Sequence, residues 1–350
     1  MSAKIFHIPF IKITPQFKLH SIVQRSPKDD NSAPNDYPDL KHCTDAQNML
    51  SDPEVDVIVI TTPPDTHFQL TKSALEAGKH VLTEKPFVPS SEEANQLIAI
   101  AKKHNRLICV YQNRRWDTDF LTVQHLLKEQ RLGRIFEFNT HFDRYKAEAP
   151  TTWKGELPLE SGGSPLYDLG THLIDQAYAL FGMPDAVRGR LLAQRRGEVD
   201  LSRPDAVNAE LIYPTGLIVK VSISAMSVEA SQPRFWIRGT KGSLTKKGLD
   251  PQEDQLKAGM KPTDAGFGKD EEKTMWMSVL DGEGGSGKMK GVEAPEVEPA
   301  KYTTLYARFG EAVEKGEEER VPVKASEARD VLRIIEGITE SAKGGADVKL

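Results

Sequence analysis

The chain has 350 residues, 38% hydrophobic and 28% charged, with a formal net charge of −5; at roughly 150 residues per domain this predicts two domains with a sizeable core. The acidic balance offers no basic field for a nucleic-acid backbone, and no apolar run reaches the roughly 18 residues of a membrane-spanning helix. Two isolated cysteines, Cys43 and Cys109, argue for a reducing compartment and against a disulfide framework or a zinc site.

In chain order, SAKIFHIPFIKIT reads as a helix, KLHSIVQR (18–25) as a strand and SPKDDNSAPNDYPD as a loop. TDAQNMLS is a short helix with Thr44 as N-cap. DVIVITTPP is a fully apolar run ended by prolines, the pattern of a buried parallel strand. DTHFQLTKSALEAG is an amphipathic helix capped by Asp65 and stopped by Gly78. HVLTEKP is a strand, SSEEANQLIAIAKKHN a helix capped by Ser90 or Ser91, and RLICVYQN a strand. Strands alternating with helices about every 25 residues give the βαβ rhythm of a parallel, doubly wound sheet.

Beyond Asn113 the rhythm changes. RWDTDFLTVQHLLKEQ is a helix, GRIFEFNTHFDRY a long strand and YDLGTHLIDQAYALFG a helix ending at Gly182. Five strand-like stretches follow between 186 and 248, with Pro214-Thr215-Gly216 marking a hairpin. Residues 250–300 read as long loops, and two helices, about 301–315 and 325–342, close the chain. The predicted fold is α/β: a Rossmann-like dinucleotide-binding domain over 1–113 and an α+β substrate domain over 114–350, built on an open antiparallel sheet.

A Rossmann domain opens with a strand, then G-x-G-x-x-G, then a helix whose N-terminus holds the pyrophosphate. No glycine precedes Gly78, so the first strand and its loop are missing as written. Losing that central strand is expected to leave two half-sheets, at about 1–3 kcal/mol for each orphaned buried group. Three readings stand: a natural chain that starts further upstream, a short isoform with poor cofactor affinity, or compensation within the fold.

Five clusters carry candidate chemistry. Glu84-Lys85-Pro86 ends a predicted strand, where ligands of open α/β sheets bind; Lys85 can polarise a substrate oxygen, or it is a strand-end surface lysine. In SGGSPLYDLGTHLIDQ, Asp168 and His172 are four apart and share a helix face, an arrangement for a general acid/base, with Asp175 a third candidate. Gly162 and Gly163 give a flexible approach and Gly170 room for a ligand, whereas the plain alternative is an N-cap and a core histidine. Arg25 and Ser26 close the strand at 18–25, where an NAD site would place Asp or Glu; the pair suits a 2′-phosphate and so NADP, unless Arg25 is a solvated loop residue. Thr61, Thr62 and Pro63 line the nucleotide cleft, with His67 near it or in the next helical turn. NRRWD places Asn113, Arg115 and Trp116 at the domain junction, for substrate hydroxyls and ring stacking or for interdomain packing. The histidines have no metal-ligand spacing, so no metal is expected.

TTPPDTH, ALEAGKHVLTEKP, NRRWD, YDLGTHLIDQ and GLDPQEDQLKAGMKP, in this order, resemble the glucose–fructose oxidoreductase/inositol dehydrogenase/MocA (Gfo/Idh/MocA) family over essentially the whole chain, most closely its NADP-dependent scyllo-inositol dehydrogenases. The resemblance implies a Rossmann domain followed by an α/β domain whose open sheet often forms a dimer interface. It implies a catalytic constellation of Lys85, Asp168 and His172, with Glu84 and Lys85 also against the cofactor, Asp168 also touching substrate and a cis Lys85–Pro86 bond. The expected activity is hydride transfer between NADP, in preference to NAD, and a cyclic polyol or sugar, with His172 as base oriented by Asp168. The alternatives are a non-catalytic dinucleotide- or sugar-sensing regulator, or an inactive fragment. The resemblance implies a homo-oligomer, and the isolated cysteines and the lack of a secretory signal in MSAKIFHIPF make the cytoplasm the expected compartment.

Overall fold

Parallel pairing decides where a site can form. The computed structural model describes residues 2–28, 31–199, 201–270, 273–280, 288–295 and 297–350. In the first domain the strands are β1 (Ser21–Val23), β2 (Lys41–Cys43), β3 (Val57–Ile60), β4 (His80–Thr83) and β5 (Ile108–Val110). The helices are α1 (Ile8–Ile13), α2 (Ala33–Asp36), α3 (Ala46–Leu50), α4 (His67–Glu76) and α5 (Ser91–His104), with a π-helical turn at Ala3–His7 ahead of α1. Among the described residues the five strands lie in two parallel sheets, β1-β2 and β3-β4-β5. Their registers, such as Ile22 with His42, Ile58 with Val81 and Leu82 with Cys109, put the C-terminal ends of β3, β4 and β5 on one edge. The TTPP and EKP segments follow β3 and β4 directly, and NRRW follows β5 after Tyr111 and Gln112.

Local chemistry sets the boundaries. Ser90 caps α5 by accepting the N–H of Glu93 at 3.2 Å, Glu92 and Glu93 fill its first turn, and Asn105 leaves it in the left-handed conformation at φ 51°. α3 is capped by Asp45, whose carboxylate accepts the N–H of Gln47, and not by Thr44 as expected. Asp65 does not cap α4 either: Pro64–Thr66 form a 3₁₀ turn first, because Pro64 suits the start of a helical turn.

The second domain carries α6 (Thr118–Lys128), β6 (Ile135–His141), α7 (Trp153–Glu156), α8 (Thr171–Phe181), β7 (Ala186–Leu192), β8 (Ala206–Ile212), β9 (Ile218–Ser224), β10 (Pro233–Gly239) and β11 (Gly242–Lys247). α9 (Gln252–Lys257), β12 (Met275–Leu280), β13 (Met289–Glu293), α10 (Thr303–Lys315), α11 (Ala325–Gly344) and β14 (Val348–Lys349) complete it. Its described strands form one open sheet in the order β13-β12-β11-β10-β6-β9-β8-β7-β14. The sheet is mixed, not purely antiparallel, because β6 pairs with β9 in parallel after a crossover that carries α8. The stretch read as long loops at 250–300 contains α9, β12 and β13; its glycines and charges suit a solvated sheet edge as well as a loop.

Burial alternates along β7, β8 and β9, so one face is apolar and packed. α11 lies on that face so closely that a Cβ at Gly189 would fall 2.5 Å from the carbonyl oxygen of Ile338. On the other face Trp236 and Trp276 stand about half exposed. No helix among the described residues is long and apolar enough to cross a membrane.

Candidate active site

Lys85 follows β4 and Asp168 precedes α8, so they come from different domains, yet they meet. The Nζ of Lys85 donates to the main-chain oxygen of Asp168 at 2.7 Å and to its Oδ1 at 3.0 Å. The Lys85–Pro86 peptide is cis. A second ammonium, Lys154 on α7, lies 2.9 Å from each carboxylate oxygen of Asp168. Burial alone would raise the Asp168 carboxyl, but the charges and hydrogen bonds of the two lysines outweigh it and hold it well below the usual carboxylate range.

His172 is buried, and neither ring nitrogen has a hydrogen-bond partner among the described residues; its Nδ1 is shut away from solvent. Burial first, then the charges of Lys85, Arg114, Arg234 and Lys154, push its pKa well below 6.5. The imidazole is therefore neutral near pH 7 and able to take a proton. Asp168 does not orient it, contrary to expectation, because both carboxylate oxygens are turned to the lysines. Residues 166–170 wind as a π-helix, so a four-residue spacing does not stack the two side chains as an α-helix would.

Glu84 is also held from behind. Its Oε1 accepts from Ser2 and from Nε2 of His7 at 2.9 Å, and its Oε2 accepts the Lys85 N–H at 3.2 Å. His7 Nδ1 then faces the Tyr306 hydroxyl at 2.6 Å. Burial pushes the Glu84 carboxyl up, but the His7 and Ser2 bonds and the Lys85 charge prevail and leave it at about 2.

The remaining predicted residues divide. Thr61, Thr62 and Pro63 follow β3 at the same edge, and Thr62 bonds the Thr66 hydroxyl at 2.6 Å. His67 is fully buried, its ring nitrogens 2.9 Å from the carbonyl oxygens of Pro86 and Thr62, so it ties the two loops together and does not line a cleft. Arg25 and Ser26 are exposed just after β1.

Arg115 and Trp116 depart from the expected substrate contact. The guanidinium of Arg115 bonds both oxygens of Asp175, at 2.7 and 2.8 Å, and Glu327 at 2.9 Å. Trp116 and Asn113 are buried beside it. Each nitrogen of the Arg115 guanidinium is thus directed at a carboxylate of the second domain, an arrangement that suits packing at the domain junction better than a sugar contact. Gly163 and Gly170 likewise answer to their own backbone surroundings. A Cβ on Gly163 would lie 2.0 Å from the Leu157 carbonyl oxygen, and one on Gly170 would press on Leu166 and Ile223, so neither makes room for a ligand.

Sequence reasoning missed three groups. Lys154 lies alone in a polar stretch and carries no spacing signal. His7 sits in an apolar helix pattern. Arg114, bonded to Asp117 at 3.1 Å and to Glu253, and Arg234, bonded to Thr140 and Gln176, form a buried network under the site. Among the described residues His20, Asp52 and Glu54 bring ligand-type atoms within 4.8 Å of one another, but Lys41 already pairs with Asp52 at 2.6 Å, which makes this an ion-pair group.

Residues 2–112 match the NAD-binding Rossmann fold of an oxidoreductase family, and residues 124–350 match the C-terminal alpha/beta domain of the same family. The chain belongs to the Gfo/Idh/MocA oxidoreductase family. This family member is similar to uncharacterized oxidoreductase C115.03 of Schizosaccharomyces pombe, with 36% identity over 100% of this chain and 97% of that protein. It is 34% identical to the scyllo-inositol 2-dehydrogenase (NADP(+)) IolW of Bacillus subtilis, over 98% of this chain and 91% of that one. The solved structure of oxidoreductase yvaA from Bacillus subtilis superposes with a TM-score of 0.89 at 32% identity, covering 100% of this chain and 96% of that one. As a Gfo/Idh/MocA protein it is a dehydrogenase with a nicotinamide-dinucleotide-binding domain.

Proposed function

We propose that the protein transfers hydride between NADP and the secondary alcohol, or the ketone, of a cyclic polyol or sugar of the scyllo-inositol kind. The observation that carries this reading is Lys85, bonded to Asp168, in electrostatic reach of a buried neutral His172 that has no hydrogen-bond partner among the described residues. Its Nδ1 is closed off from solvent, so the substrate hydroxyl would meet Nε2, which likewise has no partner among the described residues.

The donors at the strand ends suit the dinucleotide. Arg25 and Ser26 are exposed after β1, where a 2′-phosphate would lie, and Thr61, Thr62, Pro63, Glu84 and Lys85 edge β3 and β4. Bound NADP would accept or return the hydride. His172 takes the alcohol proton on its ring, Lys85 donates to the same oxygen and stabilises charge developing there, and Asp168 fixes the lysine. The sheet face bearing Trp236 and Trp276 suits a second copy of the chain, and the two buried free cysteines suit a cytoplasmic setting.

The test is NADP-linked absorbance change with a panel of inositols and aldoses. Turnover by the wild-type chain, lost in Lys85→Met and His172→Ala, is the expected result. Dinucleotide or sugar binding without turnover in the wild type would replace the enzyme with a sensor.

A further inference from the structure

The ammonium of Lys154 has no counterpart in the hydride-transfer chemistry just described, and it does not stand alone. It lies on α7, at the end of the segment that leaves β6, and its side chain is 43% exposed while the Asp168 carboxylate behind it is 8% exposed. It therefore covers the solvent side of the candidate site. The same segment carries Arg144 and Lys146. Among the described residues neither of those two side chains forms an ion pair; of the acids on the segment, Asp143 lies 3.1 Å from His141, and Glu148 and Glu156 pair with neither cation. The Lys146 ammonium is pushed below its usual value by the charge of Arg144, then by burial and the charges of Lys154 and Lys257, while Asp168 pulls the other way. Lys257 is answered by Glu253 at 2.5 Å, and Glu253 also by Arg114. The mouth of the site thus holds the ammonium groups of Lys85 and Lys154 on one carboxylate, so two positive charges face one negative charge, with Lys146 in electrostatic reach of Asp168 and Lys154, and Arg144 in reach of Lys146.

We infer that the substrate carries an anionic oxygen group, a carboxylate or a phosphate, which Lys154, Arg144 and Lys146 bind while the reacting hydroxyl lies against Lys85 and His172. This rests on the dehydrogenase reading above and narrows its substrate from neutral polyols to acidic ones. Lys154 is the residue that exchanges partners. Its Nζ holds both oxygens of Asp168, and an arriving anion offers it a stronger claim than a carboxylate already shared with Lys85. The exchange frees carboxylate lone pairs of Asp168 for a substrate hydroxyl, so binding of the anion and alignment of the reacting carbon are coupled. A neutral polyol leaves Arg144 and Lys146 unanswered and gains nothing from them.

The experiment uses the full chain saturated with NADP and matched probes: D-glucose, D-glucuronate and D-glucose 6-phosphate, and myo-inositol with myo-inositol 1-phosphate. Binding is read by titration calorimetry and turnover by NADPH absorbance. In the wild type an anionic member of a pair should bind at least about tenfold tighter than its neutral partner, the worth of one charge-assisted hydrogen bond. The uronate against the phosphate tells which anion is meant. The double variant Arg144→Gln/Lys146→Gln should remove most of that preference and leave binding of the neutral partner and of NADP unchanged, a pattern that a merely misfolded variant would not give, while Lys154→Gln should weaken the anion more than its neutral partner. No preference for the anion in any pair, or equal losses for anion and neutral partner in the variants, would overturn the inference. Anion-selective binding without turnover would leave it standing and overturn the dehydrogenase reading, whereas efficient turnover of neutral inositol with no anion preference would do the reverse.

Discussion

The ammonium of Lys85, carried by the first domain, donates both to the main-chain oxygen and to the carboxylate of Asp168, carried by the second. The proposed catalytic geometry is therefore a property of the contact between the two domains. Within the second domain, next to that contact, Arg115 joins Asp175 of α8 to Glu327 of α11, and Arg114 reaches Glu253 of α9. Lys85, the proposed oxygen polariser, and His172, the proposed proton acceptor, thus come from two sides of one junction.

Lys85→Met should lower kcat by about 100-fold, the loss expected when a preorganised donor to a developing oxyanion is removed. The fold should survive, because Lys154 still compensates the buried Asp168 carboxylate. Steady-state kinetics together with a thermal melt check both halves. A large drop in kcat with an unchanged melting temperature is the expected pair, and a drop in both would make Lys85 a structural residue.

His172 should leave a mark on stability against pH. Its folded pKa is well below 6.5 because of burial and neighbouring cations, whereas in the unfolded chain it takes a proton near 6.5. The stabilising contribution of the neutral ring is complete above that value and is lost as pH falls below it, by about 1 kcal/mol over the first unit. Urea unfolding at pH 7.5 and 5.5 should show a larger loss for the wild type than for His172→Gln. Equal losses would mean that the folded histidine titrates like a free one.

Much of this site is legible from residue order alone, and the limits of that legibility are physical. The apolar run at Val57–Ile60 and the alternation in β7 to β9 follow from periodicity, since one buried face demands it. The positions of Lys85, Asp168 and His172 follow from motifs at strand and helix ends. Their partners do not. Arg115 resembles a sugar ligand in sequence, and only the fold shows that Asp175, 60 residues away, and Glu327, 212 residues away, take its donors. The four-residue spacing of Asp168 and His172 suggests a bonded pair, but a π-turn undoes the α-helical geometry on which that rule depends. Lys154 reaches Asp168 from a short helix with no pattern of its own, which is why a lone lysine could not be singled out.

Arg115 gives a test that separates packing from binding. Arg115→Ala leaves Asp175 buried and uncompensated, near Glu327 of α11, and should cost about 3–5 kcal/mol in chemical denaturation. Arg115→Met with Asp175→Leu removes both charges and should recover most of that loss. If Arg115 bound substrate instead, the double variant would stay stable but lose KM by a large factor; the structure predicts a stable enzyme with KM near that of the wild type.

Arg25 offers the sharpest check on the cofactor. It follows β1, its side chain is exposed, and no ion pair engages it among the described residues, so its guanidinium is available to a phosphate. Asp or Glu at this point would repel a 2′-phosphate and bind a ribose hydroxyl, but the chain has Gln24, Arg25 and Ser26 here. Arg25→Ala should raise KM for NADP by about 10- to 100-fold, the worth of a charge-assisted phosphate bond, and leave KM for NAD nearly unchanged. Ser26→Ala should shift NADP in the same direction by less, because a hydroxyl brings no charge. The contrast between the two dinucleotides removes any general effect on the fold, which would weaken both together. An Arg25→Ala protein that still favours NADP by the wild-type margin would move the phosphate contact away from the end of β1.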